Sequence, residues 1–204
     1  MRTFIAAAAI AFALPAAAES LDVPSGTYVL DKTHASVVWK INHLGFSTYT
    51  AMFERAGIDA TITLDADDVA KSSLTASVDV NEVLTGHTIE FDPRSIDFDQ
   101  EIASDMFLNA PATPVATFES TGIEVTGENT ANITGNLTLN NQTHPLVLET
   151  TLNGAGDNPM SGAPHIGVTA TGVIDRTMYG INTLAGPVGT DVTIEIQGEF
   201  AYKE

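Results

Sequence analysis

The residues from Ala35 to His43 read ASVVWKINH, and this stretch decides the fold class of the chain. Every second side chain in it, including Val37, Trp39 and Ile41, lies on one face of an extended backbone, and the side chains between them lie on the other. The first face is apolar and the second is mostly polar. This period of two predicts a β-strand that is buried on one side only.

The same alternation recurs along the chain, with turn-forming residues between its occurrences. Strands joined by such short turns run antiparallel. We expect about eight strands, near residues 35–43, 58–64, 74–80, 115–125, 133–139, 146–152, 166–174 and 192–202. The pattern therefore indicates an all-β fold.

One segment departs from the strand pattern. Asp99 is predicted to cap a short helix from Gln100 to Asn109, and Pro111 ends it. We expect this helix to lie across the barrel or to close one end. The connection before it, residues 84–98, is long for a loop without secondary structure, which indicates a covering or functional role.

Antiparallel strands of this number form either a two-sheet sandwich or a closed barrel, and periodicity alone does not separate the two. A strand of about 12 residues at a tilt near 40° gives a barrel roughly 30 Å tall. The interior of such a barrel holds either side chains or one small ligand. Small residues on the inward faces favour a single antiparallel barrel with a cavity: Ala35, Ala60, Ala76, Ala170 and Gly172.

Residues 1–18 predict a secretory signal peptide. Arg2 precedes an apolar run from Phe4 to Leu14, and three alanines then form a cleavage site before Glu19. The alternative is a membrane anchor, but the apolar run is shorter than the roughly 20 residues that a spanning helix needs. We therefore expect residues 1–18 to be removed, one β-barrel domain at residues 19–204, and a periplasmic location.

The chain is strongly acidic. Without residues 1–18 it keeps 7 Lys and Arg against 26 Asp and Glu, a formal charge of −19. Such a surface repels nucleic-acid phosphates and anionic lipid head groups, so we expect no nucleic-acid partner and no stable membrane insertion. Adaptation to a salty habitat explains the acidity equally well. We expect a monomer or a homodimer, which contains no disulfide because the chain has no cysteine.

Several sequence elements together carry a resemblance to a known family. The opening strand contains Asp31, His34 and the run His43-Leu44-Gly45. Further elements are Asp79-Val80, Thr85-Gly86, Ser104, Met106, Phe107, Pro114 and Phe118, then Gly135, Leu137, Thr138, Leu139, Thr143 and Pro145, and finally Asp175-Arg176 with Tyr179-Gly180. This set resembles the YceI-like family of lipid and polyisoprenoid-binding proteins.

The resemblance extends over nearly the whole chain after the signal peptide. It implies an elongated, lipocalin-like barrel whose interior holds an isoprenoid or another long-chain amphiphile. The chain departs from the family pattern at Ala35, where the family has Ser, and around His87 to Phe91. These departures concern the part of the site that would bind a head group.

Residues on the inward faces of the predicted strands and in the helix segment are candidates for the wall of such a cavity. The predicted ligand-binding residues are Val37, Trp39, Ile41, His43, Phe46, Ile62, Val78, Met106, Phe107, Phe118, Ile166, Val168, Arg176 and Tyr179. Their common alternative role is to fill a dry core.

Two of these candidates are polar residues on apolar faces. His43 continues the face of Ile41, and Arg176 continues the face of Ile174. An inward charge is costly unless it meets a partner or a ligand, so each either binds a head group or makes a structural hydrogen bond. We favour the structural role for His43 and head-group binding for Arg176.

The sequence favours a neutral or weakly polar head group. Seven basic residues remain after residue 18, and they are spread along the chain. A buried pyrophosphate needs two or more of them to converge. We therefore expect a quinone or a fatty amide or acid rather than a polyprenyl pyrophosphate.

No motif for catalysis is present, so we predict a binding protein without catalytic residues, cofactor or metal. Asp97, Asp99 and Glu101 form an acidic group that suits either a Ca²⁺ ion or, more simply, a solvated loop. The leading hypothesis is a periplasmic carrier that sequesters a lipophilic molecule. The alternatives are a secreted β-sandwich without a ligand, acting in stress protection or adhesion, and an enzyme on a small apolar substrate that uses an acid or base such as His43.

Overall fold

Ten β-strands and one short α-helix form the structure of residues 20–203, which are the residues that this computed structural model describes. The predicted signal peptide at residues 1–18 lies outside the described residues. The elements are β1 (Gly26–His43), β2 (Ser47–Phe53), β3 (Ile58–Leu64), β4 (Ser73–Asp79), β5 (Val83–Leu84), α1 (Phe98–Ala103), β6 (Val115–Gly127), β7 (Thr130–Leu139), β8 (Gln142–Asp157), β9 (Pro164–Asp175) and β10 (Val188–Tyr202).

Eight of these strands close into an antiparallel barrel. The pairing runs in the order β1, β3, β4, β6, β7, β8, β9 and β10, and β10 pairs again with β1. In that closing pair Tyr28 lies opposite Tyr202, and Ile41 lies opposite Val192. The predicted single barrel is therefore confirmed. The sandwich alternative is wrong, because the first and last strands hydrogen-bond to each other and leave no pair of open sheets.

β1 is twice as long as the predicted strand. The prediction began at residue 35 because a bulge before that residue interrupts the alternation of side chains. Leu30 lies opposite Phe200 and Ala35 lies opposite Gly198, so four residues of β1 occupy a stretch in which β10 has one. The carboxylate of Asp31 accepts hydrogen bonds from the backbone N–H of Thr33 at 2.9 Å and from its hydroxyl at 2.6 Å. Beyond the bulge β1 changes its second partner from β3 to β2.

The barrel has two distinct ends. One, called the helix end here, holds the connections at residues 44–46, 80–114, 140–141 and 176–187. The other, called the N-terminal end, holds the connections at residues 65–72, 128–129 and 158–163 together with residues 20–25. Residues 80–114 contain β5 and α1, and they form the covering segment, which extends the helix end.

The helix is shorter than predicted and begins earlier. It spans Phe98–Ala103 rather than Gln100–Asn109, and its N-cap is Asp97 rather than Asp99. The Asp97 carboxylate accepts hydrogen bonds from the backbone N–H groups of Asp99 and Gln100, so it satisfies the free donors of the first turn. The helix ends at Ser104, whose backbone is extended.

The packed interior consists of two clusters. A smaller one at the N-terminal end contains Tyr28 and Phe200, and a larger one includes Phe118 and Tyr179. One close contact depends on a glycine, because a Cβ atom at Gly135 would lie 2.3 Å from the Phe118 ring. Gly135 therefore lets the Phe118 ring pack directly on the backbone of β7.

Candidate functional site

A cavity of about 940 Å³ occupies the barrel interior. Its wall extends from Leu21 and Asn129 at the N-terminal end to Phe98 and Leu184 at the helix end. Valine, isoleucine, leucine, phenylalanine and alanine side chains make up most of that wall. The volume lies within the range of about 300–1,000 Å³ that is usual for small-molecule sites.

All but two of the predicted ligand-binding residues line this cavity. The lining members are Val37, Trp39, Ile41, His43, Ile62, Val78, Met106, Phe107, Phe118, Ile166, Val168 and Arg176. Phe46 does not, because it lies at the turn between β1 and β2, where its side chain is 92% exposed. Tyr179 does not either, because it is buried beside His144, with the two ring centroids 5.1 Å apart.

Some of the small inward residues leave room for the cavity, and others do not. Ala60, Ala76 and Ala170 line it. A Cβ atom at Gly172 would instead lie 3.0 Å from the Leu148 side chain, so this glycine permits close packing. Ala35 is buried but is not part of the cavity wall.

An aromatic row lines the cavity near the helix end. The Tyr49 ring centroid lies 6.0 Å from that of Trp39 and 6.0 Å from that of Phe98, and the Phe98 ring lies 5.2 Å from that of His87. Trp39 comes from β1, Tyr49 from β2, and Phe98 and His87 from the covering segment. We call these four residues the aromatic row. Only Trp39 was predicted from the sequence.

Two nitrogen atoms of the aromatic row are buried without a hydrogen-bond partner among residues 20–203. They are Nε1 of Trp39 and Nε2 of His87. Nε2 of His87 lies 3.4 Å from Oδ2 of Asp92, which is longer than a normal hydrogen bond. A buried polar atom without a partner is costly, and a ligand acceptor offsets that cost when it reaches the atom after a small side-chain movement.

A charged cluster at the cavity wall joins α1 to the part of the covering segment that precedes it. Arg94 donates hydrogen bonds to both oxygens of Asp92, at 3.2 and 2.9 Å, and to both oxygens of Glu101, at 2.9 Å each. The Asp92 side chain is 3% exposed. Its hydrogen bonds from Arg94 hold the pKa of this carboxyl below its usual range, against the opposing effect of burial. The two carboxylates in turn raise the pKa of Arg94.

The other acidic residues near α1 also have protein partners. Asp97 caps the helix, and Asp99 accepts hydrogen bonds from the backbone N–H of Thr85, at 2.7 Å, and from the Thr85 hydroxyl. Each carboxylate of the predicted acidic group therefore binds a different group of the protein. Within residues 20–203, no group of three or more His, Asp or Glu side chains is placed to hold a metal ion.

Arg176 is buried and its donors are directed at backbone carbonyls. Its Nε donates to Gly189, its Nη1 donates to Ile181 and Thr183, and its Nη2 donates to Val188, at distances from 2.7 to 3.3 Å. Burial lowers the pKa of this guanidinium. The predicted head-group residue thus holds the connection between β9 and β10. His43, by contrast, is exposed at the edge of the cavity.

The sequence of residues 28–200 matches the family model described as the YceI-like domain. The chain belongs to the YceI-like family. A "UPF0312 protein" from Pseudomonas syringae pv. syringae is 32% identical to this YceI-like chain over 98% of the chain and 96% of the relative. "Protein YceI" from Salmonella arizonae is 35% identical over 84% of the chain and 85% of the relative.

Solved structures share this YceI-like barrel. The crystal structure of BcnA from Burkholderia cenocepacia covers 83% of this chain and 98% of its own, with a TM-score of 0.68 and 20% identity. A polyisoprenoid binding domain from Saccharophagus degradans covers 86% of this chain and 98% of its own, with a TM-score of 0.61 and 15% identity. At these identities the likeness shows the common fold.

Proposed function

We propose that this protein is a carrier that sequesters one long-chain, apolar lipid in its barrel. The observation that carries the proposal is the cavity of about 940 Å³, whose wall is mostly apolar and reaches from one end of the barrel to the other. A wall of this kind offers no group for a polar substrate along most of its length. An extended hydrocarbon chain matches it.

Burial of the tail supplies the affinity. Each CH₂ group removed from water contributes about 0.8 kcal/mol. Association costs at least about 4 kcal/mol in lost freedom of motion, so a tail of a few isoprene units already binds with useful affinity. The description of the Saccharophagus degradans domain as polyisoprenoid-binding supports a ligand of this class for the same fold.

The aromatic row is the proposed position of the head group. It lies at the helix end, and it contains the two side-chain nitrogens, on Trp39 and His87, that are buried without a partner in the described part of the chain. The indole nitrogen of tryptophan only donates hydrogen bonds, so the matching ligand atom is an acceptor such as a carbonyl oxygen. Flat rings also pack well against Tyr49 and Phe98.

The basic residues at the cavity support a neutral or weakly polar head group. Arg94 is shared between Asp92 and Glu101, and Arg176 is directed at four backbone carbonyls. Neither guanidinium is placed to receive a pyrophosphate without breaking these hydrogen bonds. We therefore propose a quinone or a fatty amide or acid as the ligand, and the predicted signal peptide supports a periplasmic site of action.

The carboxylate of Asp92 at the cavity wall favours a binding protein over an enzyme. A general base works best when its pKa lies near the operating pH. The hydrogen bonds from Arg94 lower the pKa of Asp92, which moves it further below a neutral operating pH. The carboxylate that faces the cavity next to His87 is therefore poorly suited to proton abstraction.

Tryptophan fluorescence tests the proposal, because the chain has one tryptophan and its side chain lines the cavity. Protein freed of lipid by organic extraction and refolding is titrated with an isoprenoid quinone, a fatty amide and a polyprenyl pyrophosphate of matched tail length. We expect saturable fluorescence changes with the quinone or the amide and weaker binding of the pyrophosphate. Tight pyrophosphate binding that is lost in Arg94→Gln or Arg176→Lys would overturn the neutral head group.

A further inference from the structure

Exposed apolar side chains surround the cavity at the helix end. Phe46 is 92% exposed and Leu44, two residues before it, is 51% exposed. Leu184 and Met106 are 58% and 52% exposed, and both also line the cavity. Side chains that face the solvent and the cavity together mark the mouth of the cavity. We call Leu44, Phe46, Met106 and Leu184 the apolar rim.

Hydrogen bonds connect the parts of the chain that carry the apolar rim. The backbone N–H of Leu44 donates to the carbonyl of Pro187 at 3.0 Å. The hydroxyl of Thr183 donates to the carbonyl of Met106. These contacts join the β1–β2 turn, the loop at residues 181–187 and the segment after α1. The segments that carry the apolar rim are therefore neighbours at this end of the barrel.

Three of the four connections at the helix end contain no acidic residue. Residues 32–53, 129–148 and 176–190 contain no Asp or Glu, although the chain has 26 of them. These ranges include three of the four connections at the helix end. The fourth, the covering segment, has seven acidic residues, of which Asp105 lies next to Met106. Four of the seven, Asp92, Asp97, Asp99 and Glu101, accept hydrogen bonds from other groups of the protein. At the N-terminal end, the β3–β4 connection contains Asp65, Asp67 and Asp68 and the β6–β7 connection contains Glu128, whereas the β8–β9 connection has no acidic residue.

We infer that the apolar rim rests against a phospholipid bilayer while a lipid moves between the bilayer and the cavity. The inference rests on the proposed function, because a ligand that resides in membranes must leave and enter them. Because the chain carries a large negative net charge, anionic lipid head groups repel it as a whole. The acid-free connections that carry Leu44, Phe46 and Leu184 approach lipid phosphates at a lower electrostatic cost than the acidic parts of the surface do.

This surface predicts an unusual dependence on salt. Contact through Phe46 and Leu184 is hydrophobic, because exposed Phe and Leu side chains bury in the boundary between the head groups and the acyl chains. The acidic remainder of the chain repels anionic lipid over a Debye length of about 10 Å at 0.1 M salt. Binding to anionic vesicles therefore strengthens when salt is raised, which is opposite to the behaviour of basic peripheral proteins.

Vesicle flotation of lipid-free protein tests the inference. Phosphatidylcholine vesicles are compared with vesicles that also contain phosphatidylglycerol, at low and high salt. Phe46→Ser is expected to lower the vesicle partition coefficient about tenfold or more, and Leu184→Ser lowers it further. Met160→Ser is the matched control, because Met160 is 93% exposed but lies in the β8–β9 connection at the N-terminal end.

Three results would overturn the inference. The unmodified protein does not float with either vesicle type, or Met160→Ser weakens flotation as much as Phe46→Ser. In the third, the protein does not bind vesicles and is a dimer that Phe46→Ser converts to a monomer. The apolar rim is then an interface between two copies of the chain.

Native mass spectrometry separates this inference from the proposed function. Lipid that is retained by a protein that does not float contradicts membrane contact through the apolar rim, but not the carrier function. Absence of any lipid contradicts the proposed function.

Discussion

Nη1 of Arg176 lies 2.7 Å from the carbonyl oxygen of Ile181 and donates a hydrogen bond to it. Three further hydrogen bonds from the same guanidinium reach Thr183, Val188 and Gly189. One buried side chain thus fixes the backbone of the whole connection between β9 and β10. That connection contains Leu184, so Arg176 also determines the shape of the cavity mouth.

Arg176→Lys should destabilise the protein although the charge is kept. A single ammonium group cannot replace a planar guanidinium that reaches four carbonyls, and buried acceptors are left unpaired. We expect a loss of about 3 kcal/mol in the free energy of unfolding by urea. Arg55→Lys is the control, because this change removes one hydrogen bond, from Nε to the Ala35 carbonyl, and should therefore destabilise the protein less. Unchanged stability together with lost lipid would instead make Arg176 a head-group residue.

Ala76→Phe should block the lipid without unfolding the barrel. Ala76 lines the cavity, so a larger side chain occupies space that the tail needs rather than space that the core already fills. The expected result is near-normal stability with at least about tenfold weaker lipid binding by fluorescence titration. Thr75→Phe, on the exposed side of the same strand, serves as the control. A strong loss of stability in Ala76→Phe would show a filled interior.

Gly135→Ala should be strongly destabilising. The new Cβ atom would lie 2.3 Å from the Phe118 ring and 2.5 Å from the backbone oxygen of Glu119, so neither neighbour can simply turn away. We expect a cost of about 3 kcal/mol in thermal or urea unfolding. Gly122→Ala is the control in the neighbouring strand, since no atom lies within 4 Å of its new Cβ. Equal stability of the two variants would contradict the packing described for Phe118.

Asp92 should make the stability of the protein depend on acid pH. Its pKa is lower in the folded protein than in the unfolded chain, so its contribution is complete above the ordinary carboxyl pKa of about 3.9. That contribution is lost as the pH falls through the lower, folded value. Asp92→Asn should therefore reduce the slope of unfolding free energy against pH below about pH 4.

Part of that slope should survive in Asp92→Asn. Hydrogen bonds from Thr33 and His34 lower the pKa of Asp31 to about 2, and hydrogen bonds from Thr177 lower that of Asp175. Both carboxylates contribute over the same acid range with the same sign. Identical slopes for the unmodified protein and Asp92→Asn would show that the charged cluster at the covering segment does not form in solution.

The barrel itself was predictable because alternation is a local property of each strand. The strand predicted at residues 35–43 and the interior position of Trp39 and Ile41 both follow from a period of two. Periodicity did not predict the first half of β1, because the bulge at residues 31–34 changes which side chains point inward. The family resemblance alone placed Asp31 and His34 on the opening strand. β2 was also missed, although Tyr49 and Ala51 alternate with Thr48 and Thr50.

The strand residues of the candidate site were predictable from the sequence, and those of the covering segment were mostly not. Apolar lining residues such as Val37 and Phe118 carry the strand pattern, whereas His87 and Phe98 lie in the covering segment and have no periodic signal. Phe46 was predicted as a lining residue from its place near the opening strand. It points outward because Leu44 and Gly45 adopt left-handed backbone angles, with φ of 57° and 75°, that turn the chain before β2.

Native mass spectrometry of the protein, expressed with its predicted signal peptide and purified without detergent, tests the central claim most directly. The released molecule is then extracted into organic solvent and identified. Our account predicts one long-chain lipid per chain, with a quinone, fatty amide or fatty acid head group, and the loss of this lipid in Ala76→Phe. An empty protein that also takes up neither isoprenoid quinones nor polyprenols after refolding would contradict it.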